Sequence, residues 1–327
     1  MTTPAALRSL RLPVVGSPMF IVSSPQLVVA QCRQGIVGTM PSLNVRDPDH
    51  LNVVLAGISE ALQDRDPRRA PWPVAPFGVN LIAHHSNSRL EHDLEVCIRR
   101  KVPVVITSLG PSAKIAERVH DYGGLLFHDV TNLRHARKAI AAGVDGIIAV
   151  AAGAGGHAGL TSPFALCAEI RDIFDGCLVL AGGISRGGDI AAARAMGADL
   201  AYVGTRLIAT LEANAPDAYK RMIVESGSAD IIYTPFFSGV SGNYLRASIN
   251  ATGLDPDTLD ARDKDTMRFG ADGSKAKAWK DVWGAGHGVG AISTVLSVAE
   301  LVEKLAAEYS VAAQRLWPSM TSIREEQ

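Results

Sequence analysis

The sequence predicts a (β/α)8 barrel, a TIM barrel, with an inserted and mainly helical lid, and three observations support this α/β fold class. Eight short apolar segments alternate with segments of helical periodicity between residues 12 and 206 of the 327-residue chain. Such alternation is typical of a parallel sheet covered by helices. Eight units favour a closed barrel over an open sheet. The last two apolar segments also run directly into glycine turns, as expected at the carboxyl ends of barrel strands.

Each predicted strand has four to six residues and is mostly apolar, as expected for a strand buried on both faces. The strands cover residues 12–16, 36–39, 77–82, 102–107, 125–128, 146–150, 178–181 and 200–203. Helical periodicity, in several cases opened by a proline, marks the segments between them. The predicted helices cover residues 25–34, 48–63, 89–101, 111–121, 132–142, 163–174 and 189–196.

The alternation stops after the eighth strand, and the periodicity beyond it is helical with several breaks. Helical pieces are predicted at residues 212–225, 255–267 and 275–282. The segment is too long for one loop, so we interpret residues 212–290 as a lid or substrate domain. Residues 1–211 and 291–317 form the predicted barrel, whose last helix covers 291–309, and residues 318–327 form a polar tail.

Composition and charge exclude several classes of protein. The chain has 32 Lys and Arg against 33 Asp and Glu, which offers no electrostatic basis for binding nucleic acid or an anionic membrane. No apolar run approaches the ~20 residues that span a bilayer, and the N-terminus lacks the apolar core of a signal peptide. The four cysteines have no metal-binding spacing, so we expect core thiols in a cytoplasmic protein.

Two glycine turns, Gly182-Gly183 and Gly204-Thr205, follow the seventh and eighth predicted strands. Glycine lets backbone N–H groups approach an anion closely, and the start of the next helix adds its positive dipole end. Barrels of this kind commonly hold a phosphate at this place. We therefore predict a phosphate cradle, with ordinary short βα turns as the alternative.

His157 is the candidate catalytic residue. It stands in the loop AAGAGGHAG after the sixth strand, on the barrel face where active sites occur. An imidazole at this position can serve as a general base or a proton donor near neutral pH. The alternative is a structural histidine that caps a helix or binds a backbone carbonyl.

Two further strand ends carry candidates for binding a flat ring. Asn80 ends the third strand with an amide that both donates and accepts, and Pro18 and Met19 after the first strand suit an aromatic platform. A turn role for Asn80 and a core role for Met19 are the alternatives. We predict no metal site, because no carboxylate or cysteine completes a ligand set with His84-His85.

Five short motifs occur together in this chain: Ser17-Pro18-Met19, Gly78-Val79-Asn80, Gly155-Gly156-His157, Leu180-Ala181-Gly182-Gly183-Ile184 and Val203-Gly204-Thr205-Arg206. Jointly they resemble the nitronate monooxygenase (2-nitropropane dioxygenase-like) family, which includes flavin-dependent enoyl-ACP reductases and NADH:quinone reductases. The resemblance covers most of residues 12–210. It implies bound FMN, whose phosphate lies on the two glycine turns. It also implies that Pro18, Met19 and Asn80 approach the isoalloxazine, that Gly155 and Gly156 line the cofactor, and that His157 is catalytic.

Two positions depart from the pattern that this resemblance implies. Asp129 stands where family members often carry a lysine, and a carboxylate cannot donate to a flavin carbonyl or phosphate unless it is protonated. We expect that contact to be lost, or to be replaced by His128 or a water molecule. His287 stands where a glutamine is usual.

The resemblance implies an FMN-dependent oxidoreductase that oxidises alkyl nitronates or nitroalkanes with O2 to a carbonyl compound and nitrite. One alternative is an NAD(P)H-dependent flavin reductase acting on an enoyl thioester or a quinone. Residues 284–290 lack a dinucleotide fingerprint, so NAD(P)H would visit as a substrate. Another alternative is a non-catalytic protein that binds flavin or a phosphate ligand. A third alternative is a flavin-free aldolase or isomerase acting on a phosphorylated substrate. The strand ends show no Schiff-base lysine, which counts against the Schiff-base route of an aldolase.

The insertion carries a group of aromatic residues that suits the apolar wall of a substrate site. They are Tyr233, Phe236, Phe237 and Tyr244. A role in the core of the insertion is the alternative for them. The expected partners are a small-molecule substrate with O2 or NAD(P)H, and a homodimer is an assembly that the sequence leaves open.

Overall fold

The computed structural model describes residues 3–63, 71–259 and 279–316. Its main sheet contains eight parallel strands: β1 (Val14–Gly16), β2 (Gly38–Pro41), β3 (Phe77–Ile82), β4 (Val104–Ser108), β5 (Leu125–Val130), β6 (Gly146–Val150), β8 (Cys177–Ala181) and β9 (Leu200–Val203). They lie in the order β1-β9-β8-β6-β5-β4-β3-β2. The sheet closes where Val15 pairs in parallel with Val37 and Gly16 N donates to Val37 O over 2.7 Å. The predicted barrel is confirmed.

Helices surround this barrel, and two more lie in the insertion. They are α1 (Pro25–Arg33), α2 (Pro48–Gln63), α3 (Leu90–Arg99), α4 (Ala113–His120), α5 (Leu133–Ala141), α6 (Pro163–Arg171), α7 (Gly187–Ala195), α8 (Thr205–Ile208), α9 (Asp217–Glu225), α10 (Arg246–Ala251) and α11 (Val298–Leu316). The two in the insertion are α9 and α10. Side chains of Ser24, Ser112 and Asn132 cap α1, α4 and α5 by accepting from backbone N–H groups of the first turn. The last helix, α11, packs along α7 and α1 and completes the outer layer.

The strands are buried on both faces, which explains their apolar sequences. One set of side chains fills the barrel, among them Val15, Val104, Ile106, Phe127, Ile148, Val179 and Tyr202. The alternate residues of the same strands pack against the helices in a larger cluster. Because side chains alternate along a strand, the inward-facing positions can be assigned from these two clusters.

The insertion contains strands that the sequence did not predict. β10 (Ile231–Thr234) and β11 (Gly242–Leu245) pair antiparallel, and β11 also pairs antiparallel with β7 (Gly156–His157) from the loop after β6. β7, the second partner of β11, lies far away in the sequence, so periodicity within 231–245 does not reveal that pairing. The assignment of residues 212–290 as a separate lid stays a prediction.

Several predicted boundaries shift in the structure. The helix predicted at 291–309 begins at Val298, because residues 287–291 form a 3-10 helix and Leu296 then bridges to Thr210. The helix predicted at 212–225 begins only at Asp217. Residues 260–267 and 275–278 of the two other predicted pieces, and the predicted tail, lie outside the described residues. The described remainder contains a 3-10 helix at Pro256–Thr258 and a turn at 279–281.

All four cysteines are buried and free, in agreement with the predicted core role. Within the described ranges, no helix has both the length and the apolar character needed to cross a membrane.

Gly38 and Gly57 provide a matched test of packing around the barrel. A Cβ at Gly38 would meet the Val28 carbonyl oxygen and lie 3.0 Å from Val28 Cα, both backbone atoms of α1. Gly57 is exposed on α2, and a Cβ there has no neighbour within 4 Å. We expect Gly38→Ala to lower the free energy of unfolding by roughly 2 kcal/mol and Gly57→Ala to raise it by up to about 1 kcal/mol. Urea denaturation measures both, and equal stabilities would contradict the packing described here.

Candidate active site

His157 lies beyond the carboxyl end of β6, where strand β7 joins the loop to the insertion. Gly242 of β11 stands opposite His157, and Asn243 stands opposite Gly156. A Cβ at Gly242 would lie 2.9 Å from the Gly156 carbonyl oxygen, so the two backbones approach too closely for a side chain. Asn243 Nδ2 also donates to the Ala154 carbonyl at 2.6 Å. These contacts hold the glycine-rich loop in one conformation.

A serine of the insertion determines the tautomer of His157. His157 Nε2 lies 2.8 Å from Ser238 Oγ, in the loop between β10 and β11. The Ser238 hydroxyl donates its single proton to the Val240 carbonyl at 2.9 Å, so its oxygen accepts from Nε2–H. The basic lone pair of the imidazole is therefore on Nδ1.

Aromatic packing on one side of His157 reduces its contact with water, and the residue is half-buried. Trp279 packs edge-on against the imidazole, with 5.5 Å between ring centroids, and stacks on Tyr244 at 5.2 Å. Burial lowers the pKa of His157 to about 4. The imidazole is thus neutral at pH 7, when it can take up a proton but supplies no fixed positive charge.

The four aromatic residues predicted as a substrate wall gather near His157. Phe237 contacts both Tyr244 and Phe236 edge-on, each at 5.0 Å between centroids. The Tyr233 hydroxyl donates to the Ala158 carbonyl at 3.0 Å, next to His157 in the chain. Tyr244 is fully buried, whereas Tyr233 is exposed. The structure brings the group together, and its contact with substrate stays a prediction.

The loops after β6, β8 and β9 converge with residues 286–288. The Gly153 carbonyl accepts from Gly183 N at 3.2 Å and from His287 N at 2.9 Å. Thr205 Oγ1 accepts from Gly286 N at 2.8 Å. Both predicted glycine turns therefore meet the loop of His157 at one place on the barrel mouth. His287, the second departure noted above, is exposed, but its ring borders this place, since a Cβ at Gly153 would lie 3.4 Å from His287 Nδ1.

Glycine is required at several of these positions. Gly182 and Gly183 have φ of +137° and +72°, and Gly156 has φ of +71°, a region that other residues rarely adopt. A Cβ at Gly182 would lie 2.8 Å from Ala152 O, and one at Gly155 would lie 2.9 Å from Gly286 N. The converging loops therefore expose backbone instead of side chains. An anion site made of backbone N–H groups needs such a surface.

The start of α7 was expected to add its positive dipole end to the phosphate cradle, but its backbone N–H groups are already bonded. Asp189 Oδ2 accepts from Ser185 N at 2.9 Å and from Arg186 N at 2.8 Å. Glu308 Oε2 accepts from Gly187 N at 2.8 Å. Because two carboxylates hold the positive end of this helix, an anion at the mouth has to rely on the glycine turns themselves. The buried Ser185 hydroxyl, which has no partner within the described ranges, is a further donor.

Met19 and Asn80 face the same mouth from the other strands. A Cβ at Gly204 would lie 3.8 Å from Met19 Sδ, which places Met19 beside the second glycine turn. The Asn44 amide donates to the Met19 carbonyl at 3.1 Å and fixes this loop, which includes Pro18. Asn80 Nδ2 donates to Ser108 Oγ at 2.8 Å and to Ile106 O at 3.3 Å, so its carbonyl oxygen remains to accept.

Of the alternatives for the contact of the family lysine, which were its loss or its replacement by His128 or a water molecule, replacement by His128 is wrong. His128 neighbours the inward-facing Asp129 on β5 and therefore points to the opposite face, where its Nδ1 lies 2.8 Å from Thr107 Oγ1. It is buried there, and burial lowers its pKa to about 4. Of the two neighbours, Asp129 is the one whose side chain can contact a ligand at the mouth.

No group of three or more metal-ligating side chains occurs among residues 3–63, 71–259 and 279–316.

Comparison with solved structures defines the class of protein. Nitroalkane oxidase from Streptomyces ansochromogenes superimposes with a TM-score of 0.76 at 27% identity, over 95% of this chain and 100% of that one. FabK from Thermotoga maritima superimposes with a TM-score of 0.74 at 24% identity, over 95% and 96%, which shows a shared fold. The protein is an oxidoreductase of the flavin-dependent TIM-barrel class.

Sequence comparison narrows the class to a family. The profile described as nitronate monooxygenase matches residues 78–308. The nitronate monooxygenase of Paraburkholderia phytofirmans is 27% identical, over 93% of this chain and 94% of that protein. The chain belongs to the nitronate monooxygenase family.

Sequence reasoning missed three residues that shape this site: Ser238, Asn243 and Trp279. Each lies in the insertion and contacts the loop of His157 across a large separation in the sequence. A serine and an asparagine in a loop or short strand carry no distinctive spacing. The group of aromatic residues at 233–244 was the one signal in the sequence that these residues lie near the site. Trp279 lies outside that range, so the signal did not include it.

Burial of His157 can be tested by titration of its ring. We expect NMR of the imidazole to give a pKa of about 4 for His157. Trp279→Ala admits water beside the ring, so its pKa should rise toward the ordinary value of about 6.5. Trp283 stacks on Tyr219 instead, at 4.9 Å between centroids, and Trp283→Ala is the control that should leave His157 unchanged. An ordinary pKa in the unmodified protein would contradict the burial.

Proposed function

We propose that this chain is an FMN-dependent nitronate monooxygenase that converts alkyl nitronates and nitroalkanes, with O2, into a carbonyl compound and nitrite. The observation that carries the proposal is the placement of His157. A neutral imidazole with a defined basic nitrogen lies among aromatic rings, next to a convergence of glycine loops. Membership of the nitronate monooxygenase family agrees with this reading.

The residues at the mouth fit FMN. Gly183 donates its N–H to the Gly153 carbonyl, so what it gives a phosphate is room: its φ is +72°, and a Cβ there meets no protein atom within 4 Å. The buried Ser185 hydroxyl lacks a partner in the described chain and is a donor for the same group. Met19 and the Asn80 carbonyl oxygen lie across the mouth, where they suit the face and edge of an isoalloxazine.

When bound, FMN supplies the electron acceptor between the organic substrate and O2. His157 does the acid–base work: Nδ1 accepts the α proton of a neutral nitroalkane, while Ser238 holds Nε2–H. An anionic nitronate beside the ring favours protonation of Nδ1, which then donates to a nitro oxygen. Phe237, Tyr244 and Trp279 exclude water from this step.

Anaerobic reduction of the purified protein tests the function. We expect bound FMN to be reduced by propionate 3-nitronate or a simple alkyl nitronate, and to be reoxidised by O2 with release of nitrite. Reduction by NAD(P)H with reoxidation by a quinone or an enoyl thioester would instead support a flavin reductase. Flavin that is inert toward every donor would support a binding protein.

Gly183→Ala tests the cradle. Gly123, in the turn before β5 at the opposite end of the barrel, is a matched control, with φ of +83° and an equally open Cβ position. We expect both alanine variants to lose about 1–2 kcal/mol of stability from the strained backbone. Only Gly183→Ala should also lose FMN affinity, by about tenfold or more. Equal FMN dissociation constants for the two variants would remove Gly183 from the site.

His157→Asn tests the acid–base role. An amide keeps the polarity but cannot carry a proton, so we expect FMN content to be retained and turnover with a neutral nitroalkane to fall by about 10²–10⁴. The exposed His120 at the end of α4 is the control, and His120→Asn should keep full activity. Wild-type turnover in His157→Asn with the best substrate would show that the assigned role is wrong.

A further inference from the structure

Asp129 is a half-buried carboxyl group at the barrel mouth that the proposed reaction does not use. Phe127 of the same strand packs inside the barrel, and residues two apart on a strand share a face, so Asp129 also faces inward. Its Oδ2 accepts from Ser108 Oγ at 2.5 Å. Its Oδ1 is buried and has no hydrogen-bond partner in the described part of the chain.

Neither Ser108 nor Asn80 can satisfy that oxygen, and the buried Tyr202 hydroxyl makes no hydrogen bond to it. The Ser108 hydroxyl donates its one proton to Asp129 Oδ2. The Asn80 amide donates one of its protons to Ser108 Oγ and the other to the Ile106 carbonyl. A chain of hydrogen bonds thus runs from Asn80 on β3 through Ser108 on β4 to the carboxyl group of Asp129 on β5. Its Oδ1 is the oxygen that is left without a donor. A buried acceptor without a donor costs about 1–3 kcal/mol, so this end of the chain is adapted to a donor from a bound molecule.

An isoalloxazine carries such a donor on one edge only. Its pyrimidine edge has an N–H between two carbonyl groups, whereas its dimethylbenzene edge has only methyl groups. We propose that Asp129 contacts the pyrimidine edge of bound FMN and that the charge of this carboxyl group sets the midpoint potential of the flavin. The inference rests on the FMN binding proposed above and adds a role for Asp129.

The effect on the potential follows from electrostatics. An ionised carboxylate beside the ring opposes the negative charge that reduction adds, whereas a neutral carboxyl group does not. Reduction therefore raises the pKa of Asp129 and draws a proton onto it. In the pH range between the Asp129 pKa with oxidised flavin and that with reduced flavin, each reduction takes up one extra proton.

Asp129 is the group that titrates near pH 6 at this place. Burial raises its pKa to about 6, against the hydrogen bond from Ser108, which lowers it. β3 and β4 present the uncharged groups just described, and β6 presents apolar side chains. Tyr202 of β9 stays neutral, because burial raises its pKa well above the ordinary value. His128 faces away, and burial lowers the pKa values of His128 and His157 to about 4.

The test is the midpoint potential of the FMN-loaded protein, measured by spectroelectrochemical titration as a function of pH. We expect the unmodified protein to show a segment above about pH 6 with an extra tenfold change in the reduction equilibrium per pH unit, about 30 mV for a two-electron couple. Asp129→Asn should lack this segment and have the higher potential above it. Ser108→Ala removes the hydrogen bond to the carboxylate, so it should keep the segment and begin it at higher pH.

Glu169→Gln, on the exposed face of α6, removes one charge far from the mouth and should reproduce the unmodified curve. If FMN binds and the curves of the unmodified protein, Asp129→Asn and Ser108→Ala coincide, the role of Asp129 is overturned while the proposed function stands. If Asp129→Asn fails to fold, the shift in Ser108→Ala decides alone. A protein that takes up no FMN overturns both proposals.

Discussion

The antiparallel pairing of β7 with β11 is the constraint on which the site depends. A loop as rich in glycine as 153–159 has a large conformational entropy when it is free. Pairing of Gly156 and His157 with the insertion turns part of that loop into a strand and aims the imidazole at Ser238. The same contact brings Trp279 against the ring and lowers its pKa. The tautomer, the burial and the basicity of His157 therefore follow from one piece of sheet.

Burial acts in opposite directions on the two ionisable groups of the mouth. It lowers the pKa of His157 and raises that of Asp129, because in each case the neutral form is the better one away from water. At pH 7 the imidazole of His157 is therefore neutral, whereas Asp129, with a pKa of about 6, still carries most of its negative charge. The loops that complete the site add backbone at the glycine turns and little side-chain charge, and the helix start beside them is already held by Asp189 and Glu308.

Much of the fold and part of the site could be predicted because local pattern and tertiary position coincide in this class of barrel. Strands buried on both faces read as apolar runs, and the observed β3, β6 and β9 match their predicted bounds. Glycine turns at strand ends meet at the mouth in any closed parallel barrel, so Gly183 and Thr205 could be placed without the structure. The carboxylates that bind the N–H groups at the start of α7 could not be predicted in this way, since one of them comes from Glu308 on a distant helix.

The sequence by itself determined the parallel barrel, the convergence of its glycine turns and the identity of the histidine beside them. These depend on residue type and spacing within single βα units. Only the tertiary structure decided which residues surround His157 and which face of β5 bears a group at the mouth. The pairing of β7 with β11 joins segments some eighty residues apart, and the hydrogen-bond chain from Asn80 through Ser108 to Asp129 crosses three strands. Neither leaves a periodic signal, because backbone hydrogen bonds between distant strands can form with almost any side chain.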